Sequence, residues 1–259
     1  MYSDYNTTTP IGARGYSKLQ VSMMSKALLV ASIGLILTCL IGFLVAYIYS
    51  VSSISPDAKV TLGMISSIFI IISFVCTFVW MAKLQNASNL LSFGTIAIYC
   101  IANGIGFGSL FYMLNAQEVM ILFGSVGVIF FGTWFISTLV STKFMMSFGK
   151  FLMIATIIYF VFNIGLFLFN LFNVFGMRYA HPNASVGYQW IYLISSAVSG
   201  LLSIGYMAYN MNNIQKMDKF LDSTPELKNK YALFFGFMIL MSLISIIWSL
   251  ARILLFSRR

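Results

Sequence analysis

Residues 188–252 read YQWIYLISSAVSGLLSIGYMAYNMNNIQKMDKFLDSTPELKNKYALFFGFMILMSLISIIWSLAR. An uncharged run over 188–215 is followed by a charged stretch over 216–230, and then by a second apolar run over 231–251. Each run is long enough for a membrane helix, which needs roughly 20 residues at about 1.5 Å each to cross about 30 Å of hydrocarbon. The segment is therefore a transmembrane hairpin, with 216–230 as its loop. Lys216, Lys219, Lys228 and Lys230 stand there against Asp218, Asp222 and Glu226, the densest charge in the sequence. That loop marks the watery side. Ser223, Thr224 and Pro225 ahead of Glu226 predict a hydroxyl cap on a helix whose first turn tolerates proline and favours an acid.

The last span is not apolar all round. Ser242, Ser245, Ser249 and Arg252 recur at helical steps and fall within about 80° on one face. Hydroxyls and a guanidinium are costly against lipid, so this stripe is expected to face other helices or a wet cavity. Two readings stand side by side. In one the serines bond back to their own helix carbonyls and Arg252 reaches out to the interface. In the other the stripe lines a solute path.

Composition sets the class. The chain is 60% hydrophobic, 17% aromatic and 8% charged, far from the roughly 45 to 50% apolar and 25% charged of soluble proteins. It reads as an all-α, multi-pass integral membrane protein whose environment is the lipid bilayer. A net charge of +9 would suggest nucleic acid in a soluble chain, but here the basic residues sit between apolar runs and report topology. No nucleic-acid partner is expected. Cys39, Cys76 and Cys100 each fall inside a span, and His181 is the single histidine, so neither a disulfide framework nor a metal site is expected, nor any cofactor.

Residues 1–26 form a polar tail, residues 27–256 the transmembrane domain and residues 257–259 a short C-terminal tail. The spans before the hairpin are expected at about 27–50, 60–81, 90–114, 119–140 and 151–175. In the third, Gly104 and Gly108 lie four apart beside Asn103, a pattern for close helix contact or for a loosened helix beside a path. The fourth begins after a tight turn at Glu118 and carries Gly124, Gly127 and Gly132. The fifth follows a turn flanked by Lys143 and Lys150, and its Asn163 and Asn170 share a face. Asn183, Ala184 and Ser185 form a glycosylation sequon that has meaning only in a lumenal compartment. The sixth opens on Tyr188, Trp190 and Tyr192 and carries a small-residue stripe of Ser196, Ser199, Gly200 and Ser203.

Seven spans with the N-terminus inside place Arg14, Lys18, Lys26, Lys83, Lys143, Lys150, Lys216, Lys219, Lys228 and Lys230 inside. Lys59, Arg178, Arg258 and Arg259 then fall outside. That bias predicts a cytoplasmic N-terminus and an outside C-terminus, and compactness with no sorting signal points to a bacterial cell membrane as the location. Much chemistry is excluded. Ala197, Val198, Ser199 and Gly200 give the nearest approach to a serine-hydrolase motif, with the only imidazole in a distant loop. No phosphate loop is present, and no Asp or Glu lies inside a span to couple protons or sodium. The expectation is a protein without enzymatic activity.

Two stretches carry a family resemblance: GLLSIGYMAYNMNNIQKM at 200–217 and FGSVGVIFFGTWF at 123–135. With the last span closing near Arg252, the chain from about Ala27 to Phe256 resembles the Bax inhibitor-1 (transmembrane Bax inhibitor motif) family. The resemblance implies six helices arranged around a central seventh, and a pH-sensitive calcium leak gated by two aspartates. Those acids are missing here. Asn210 stands at the sixth-helix position, and the seventh-helix position falls on Met238 or Ser242, depending on the alignment. The basic residue implied after Trp80 and Met81 falls on Ala82, with Lys83 next. Asn210 bonds but does not titrate, so the resemblance implies an ion or calcium leak without its proton switch. The candidate lining is Asn103, Asn163, Asn210, Ser242, Ser245, Ser249 and Arg252. The alternatives are a non-conducting regulatory protein that binds another membrane protein through 216–230, and an uncoupled small-solute transporter.

Overall fold

Long uncharged runs in this chain fold as helices because hydrocarbon offers backbone N–H and C=O groups no other partners. The computed structural model describes residues 22–51, 72–73, 75–77, 89–176, 184–220 and 225–257. Six helices are complete among these residues: α1 (Met23–Val51), α2 (Asn89–Met113), α3 (Ala116–Leu139), α4 (Thr142–Gly176), α5 (Ala184–Phe220) and α6 (Pro225–Ser257). Of the second predicted span, the described residues 72–73 and 75–77 are helical and the rest lies outside the described residues. Residues 1–21 of the N-terminal tail, the sequon's Asn183, His181, and the proposed cap at Ser223 and Thr224 also lie outside them.

Five described helices are long and apolar enough to cross a membrane: Met23–Val51, Leu91–Met113, Ala116–Leu139, Lys143–Gly165 and Glu226–Ser257. The fold is all-helical and multi-pass, as its composition predicts. α6 is its hub. Phe237, Ile239, Leu240, Ile244, Ile246 and Ile247 are all fully buried, and Ile239 and Ile246 project to the side opposite Phe237. A helix apolar and buried around its circumference belongs inside a bundle. α6 packs on α1, α2, α3 and α5, and Thr77 of the second predicted span reaches its Met241. α4 joins through α5.

Local chemistry sets several boundaries. Asn115 and Glu118 form a reciprocal capping box at the start of α3, with Glu118 N–H donating to Asn115 Oδ1 at 2.8 Å and Asn115 N–H to Glu118 Oε2 at 2.9 Å. The tight turn expected at Glu118 is this cap. Other boundaries differ from expectation. The loop assigned to 216–230 is mostly helix, since α5 runs to Phe220 and α6 starts at Pro225 with Glu226 in its first turn. Lys143 and Lys150 lie within α4 instead of flanking a turn, and α1 begins at Met23, so Lys26 is helical. The reason is length. α6 has 33 residues, and at 1.5 Å per residue a helix of that size runs about 50 Å, well past about 30 Å of hydrocarbon. Its charged end is the part that projects.

Close helix contact is the role of Gly104 and Gly108. A Cβ on Gly104 would lie 2.7 Å from Ile41 Cβ and 2.9 Å from Thr38 O of α1, and Gly108 faces Val45. No loosening of α2 accompanies them, since it is helical throughout. By contrast, Cβ atoms on Gly124, Gly127 and Gly132 of α3 would meet nothing within 4 Å. Gly104→Leu is therefore expected to lower stability by about 1 to 3 kcal/mol through overpacking, while Gly132→Leu is nearly neutral. Thermal unfolding of the two variants in detergent micelles checks this, and equal melting would contradict the α1–α2 crossing.

Candidate functional site: the polar stripe of α5

α5 carries polar residues at a period that matches a helix face. Ser195, Ser196, Ser199, Ser203, Tyr206 and Asn210 project within about 100° of one another and extend about 22 Å along the axis. On one side this stripe meets α6. Ser203 Oγ donates to Ser245 Oγ at 2.7 Å, Ser199 and Ser245 share a hydrogen bond at 3.4 Å, and Gly200 leaves room for Ser249. On the other side it meets α4. Thr156 Oγ1 donates to Tyr206 OH at 3.0 Å, and Tyr159 OH and Ser195 Oγ share a bond at 3.2 Å. Ser195 Oγ also donates to Asn163 Oδ1 at 3.3 Å, and Asn163 Nδ2 donates to Tyr159 O at 2.7 Å.

Two members of the stripe are incomplete. Ser196 Oγ and Asn210 Nδ2 are buried with no hydrogen-bond partner among the described residues. Asn212, on another face of α5, donates through Nδ2 to Ser137 O at 3.0 Å and Val140 O at 3.3 Å, closing the end of α3, while its own Oδ1 has no partner among the described residues.

Beyond Asn210 the stripe ends at a polar lock. Lys228 Nζ lies 2.7 Å from Asp218 Oδ1, which also accepts from Met23 N–H at 3.2 Å, and Lys26 Nζ donates to Asn229 Oδ1 at 2.6 Å. α1, α5 and α6 are tied together there. The pair is sheltered, with side-chain exposures of 11% for Lys228 and 23% for Asp218, so salt screens it less than a surface pair.

The sequence candidates divide accordingly. Asn163, Asn210, Ser245 and Ser249 lie on or against the stripe. Ser242 turns its hydroxyl back to Met238 O at 3.0 Å, and Ser249 bonds likewise to Ser245 O at 2.9 Å. Asn103 is buried in α2, where its amide donates to Tyr99 O at 2.9 Å. Arg252 is exposed, with its guanidinium 5.6 Å from the centre of the Trp248 ring. Thr156, Tyr159, Ser195 and Tyr206 were not among the candidates. Ser195 and Tyr206 share the period of the serine stripe already noted on this span, which is the signal that could have found them. Among the described residues no group of three or more His, Cys, Asp or Glu could hold a metal ion.

A helical, multi-pass membrane bundle closed around its last helix, with a polar seam between that helix and its neighbours, defines the class. Residues 19–259 match the family model described as Inhibitor of apoptosis-promoting Bax1. The chain belongs to the Bax inhibitor-1 family. It is also similar to an uncharacterized protein of Mycoplasma pneumoniae, 26% identical over 261 residues that cover 88% of each chain.

Asp218→Asn is expected to cost about 1 to 3 kcal/mol, because Lys228 keeps its charge in a sheltered site without the carboxylate. Asp218→Asn combined with Lys228→Met should recover most of the loss. Denaturation of the single and double variants measures the coupling, and independent, additive effects would rule out a lock.

Proposed function

We propose that this protein works without catalysis, as a passive and weakly selective leak for small cations, calcium among them, in a cell membrane. One observation carries this reading: two buried polar atoms without partners among the described residues, Ser196 Oγ and Asn210 Nδ2, on a stripe that extends along α5. A buried polar group left dry is costly, so water belongs beside each. With water added, the α5 stripe offers hydroxyl and amide groups along most of the hydrocarbon depth, bounded by α4 and α6. Membership of the Bax inhibitor-1 family and the absence of a catalytic constellation in the sequence both support it.

The chemistry of the stripe also sets the character of the leak. Calcium is held by several oxygens, carboxylates among them, and the stripe supplies only neutral oxygens. Passage without tight binding or strong discrimination follows. The basic balance between the two sides supports a cytoplasmic N-terminus and an outside C-terminus, which puts the Asp218–Lys228 lock at the cytoplasmic mouth.

Hydroxyls and amides do not titrate in the neutral range, so calcium and potassium efflux from proteoliposomes should stay flat from about pH 5 to 8. Asn210→Asp should introduce pH dependence within this range, and Asn210→Leu should reduce efflux severalfold. Efflux no greater than from empty vesicles throughout would remove the leak and leave the non-conducting, partner-binding alternative.

A further inference from the structure

α1 and α3 each pack on α6, and a cleft of about 210 Å³ remains between them. Leu28 and Ser32 of α1 form one wall, Phe123, Gly127 and Phe130 of α3 the other, and Leu243 of α6 the floor. Leu28 and Ser32 lie five and nine residues from the start of α1, or roughly 8 to 14 Å along the helix, within the hydrocarbon on the Lys26 side. Toward the opposite end the lining residue Phe123 belongs to a cluster of rings. Phe43 lies 6.3 Å from Phe123 and stacks on Phe111 at 4.6 Å.

Protein interiors leave few voids larger than a water molecule, and an apolar cavity of about 150 Å³ already binds benzene. A larger apolar cleft at this depth calls for an apolar occupant. Within the chain the obvious candidate is the second predicted span. Its described residue Thr77, however, donates to Met241 Sδ at 3.3 Å, and Met241 and Leu243 project about 200° apart on α6. At this level the described part of that span lies on the far side of the hub. α1 and α3 are both long and apolar enough to cross a membrane, so the medium expected beside their open faces is bilayer hydrocarbon.

We propose that the α1–α3 cleft is a binding site for one acyl chain of a phospholipid, entering from the leaflet at the Lys26 end and stopping at the Phe43–Phe123 rings. This site is separate from the α5 stripe and does not depend on conduction. It differs from ordinary lipid contact because the chain is held on three sides by α1, α3 and α6.

The test uses the full chain in phosphatidylcholine and phosphatidylglycerol vesicles that contain a phosphatidylcholine with a mid-chain diazirine. After irradiation, adducts are mapped by mass spectrometry. Leu28, Ser32 and Phe130 should be labelled severalfold more than Ile33 and Ile36, which are more than half exposed on the same turns of α1. Gly127→Leu places a side chain on the cleft wall at a position where an added Cβ meets nothing within 4 Å. It should abolish the preference, whereas Gly132→Leu, equally open but outside the cleft, should preserve it. Equal labelling of Ser32 and Ile33, or a preference unchanged by Gly127→Leu, would overturn the site in favour of unspecific lipid contact. Cross-linking between two chains through Ser32→Cys, above the level of the parent protein, would also overturn it by placing a second copy there.

Discussion

Hydrocarbon gives a hydroxyl no water to bond, and that constraint organises this bundle from α5 outward. A helix with serines, a tyrosine and an asparagine on one face cannot present that face to lipid. It lies instead between α4 and α6, which answer it with Thr156, Tyr159 and Asn163 on one side and Ser245 on the other. α4 shows why this matters, since most of its length from Phe151 to Ile164 bears large apolar side chains turned outward. Its attachment to α5 combines these hydrogen bonds with close fits of Gly149 on Tyr209 and of Gly205 on Leu152.

α6 solves the complementary problem. Its bulk is aliphatic and buried nearly all round, and α1 approaches it closely at Gly236, where a Cβ would lie 2.7 Å from Ala27 O. Two kinds of interface therefore meet on one helix. The contact with α1 depends on a missing side chain and backbone proximity, whereas the contact with α5 depends on hydroxyls. Both ends of this arrangement converge on the Asp218–Lys228 pair, where the starts of α1 and α6 meet the end of α5.

Much of the fold was legible because the signal for a span is simple: about twenty uncharged residues. The ends were less so. Lys143, Lys150, Lys216 and Lys219 look like loop residues when charge is the guide, yet a helix continues past the hydrocarbon for as long as its own hydrogen bonds are satisfied in water. The site was half legible for a different reason. Periodicity names a face but not the neighbour opposite it. Asn103 and Asn163 are the same residue type in similar apolar runs, and both bond back four residues, but among the described residues only Asn163 also bonds a side chain of another helix. Asp218 and Lys228 read as loop charge because nine residues of intervening sequence hide that two helices bring them within 2.7 Å.

The C-terminal end of α3 is completed by a residue that is synthesised much later. The carbonyls of Ser137 and Val140 receive their side-chain donor from Asn212, more than seventy positions downstream. While the ribosome is still extending α4, that end of α3 has to rely on water or on the insertion machinery. Its final seat forms only after α5 has arrived, so the bundle closes late in biogenesis, from its C-terminal half back onto its middle.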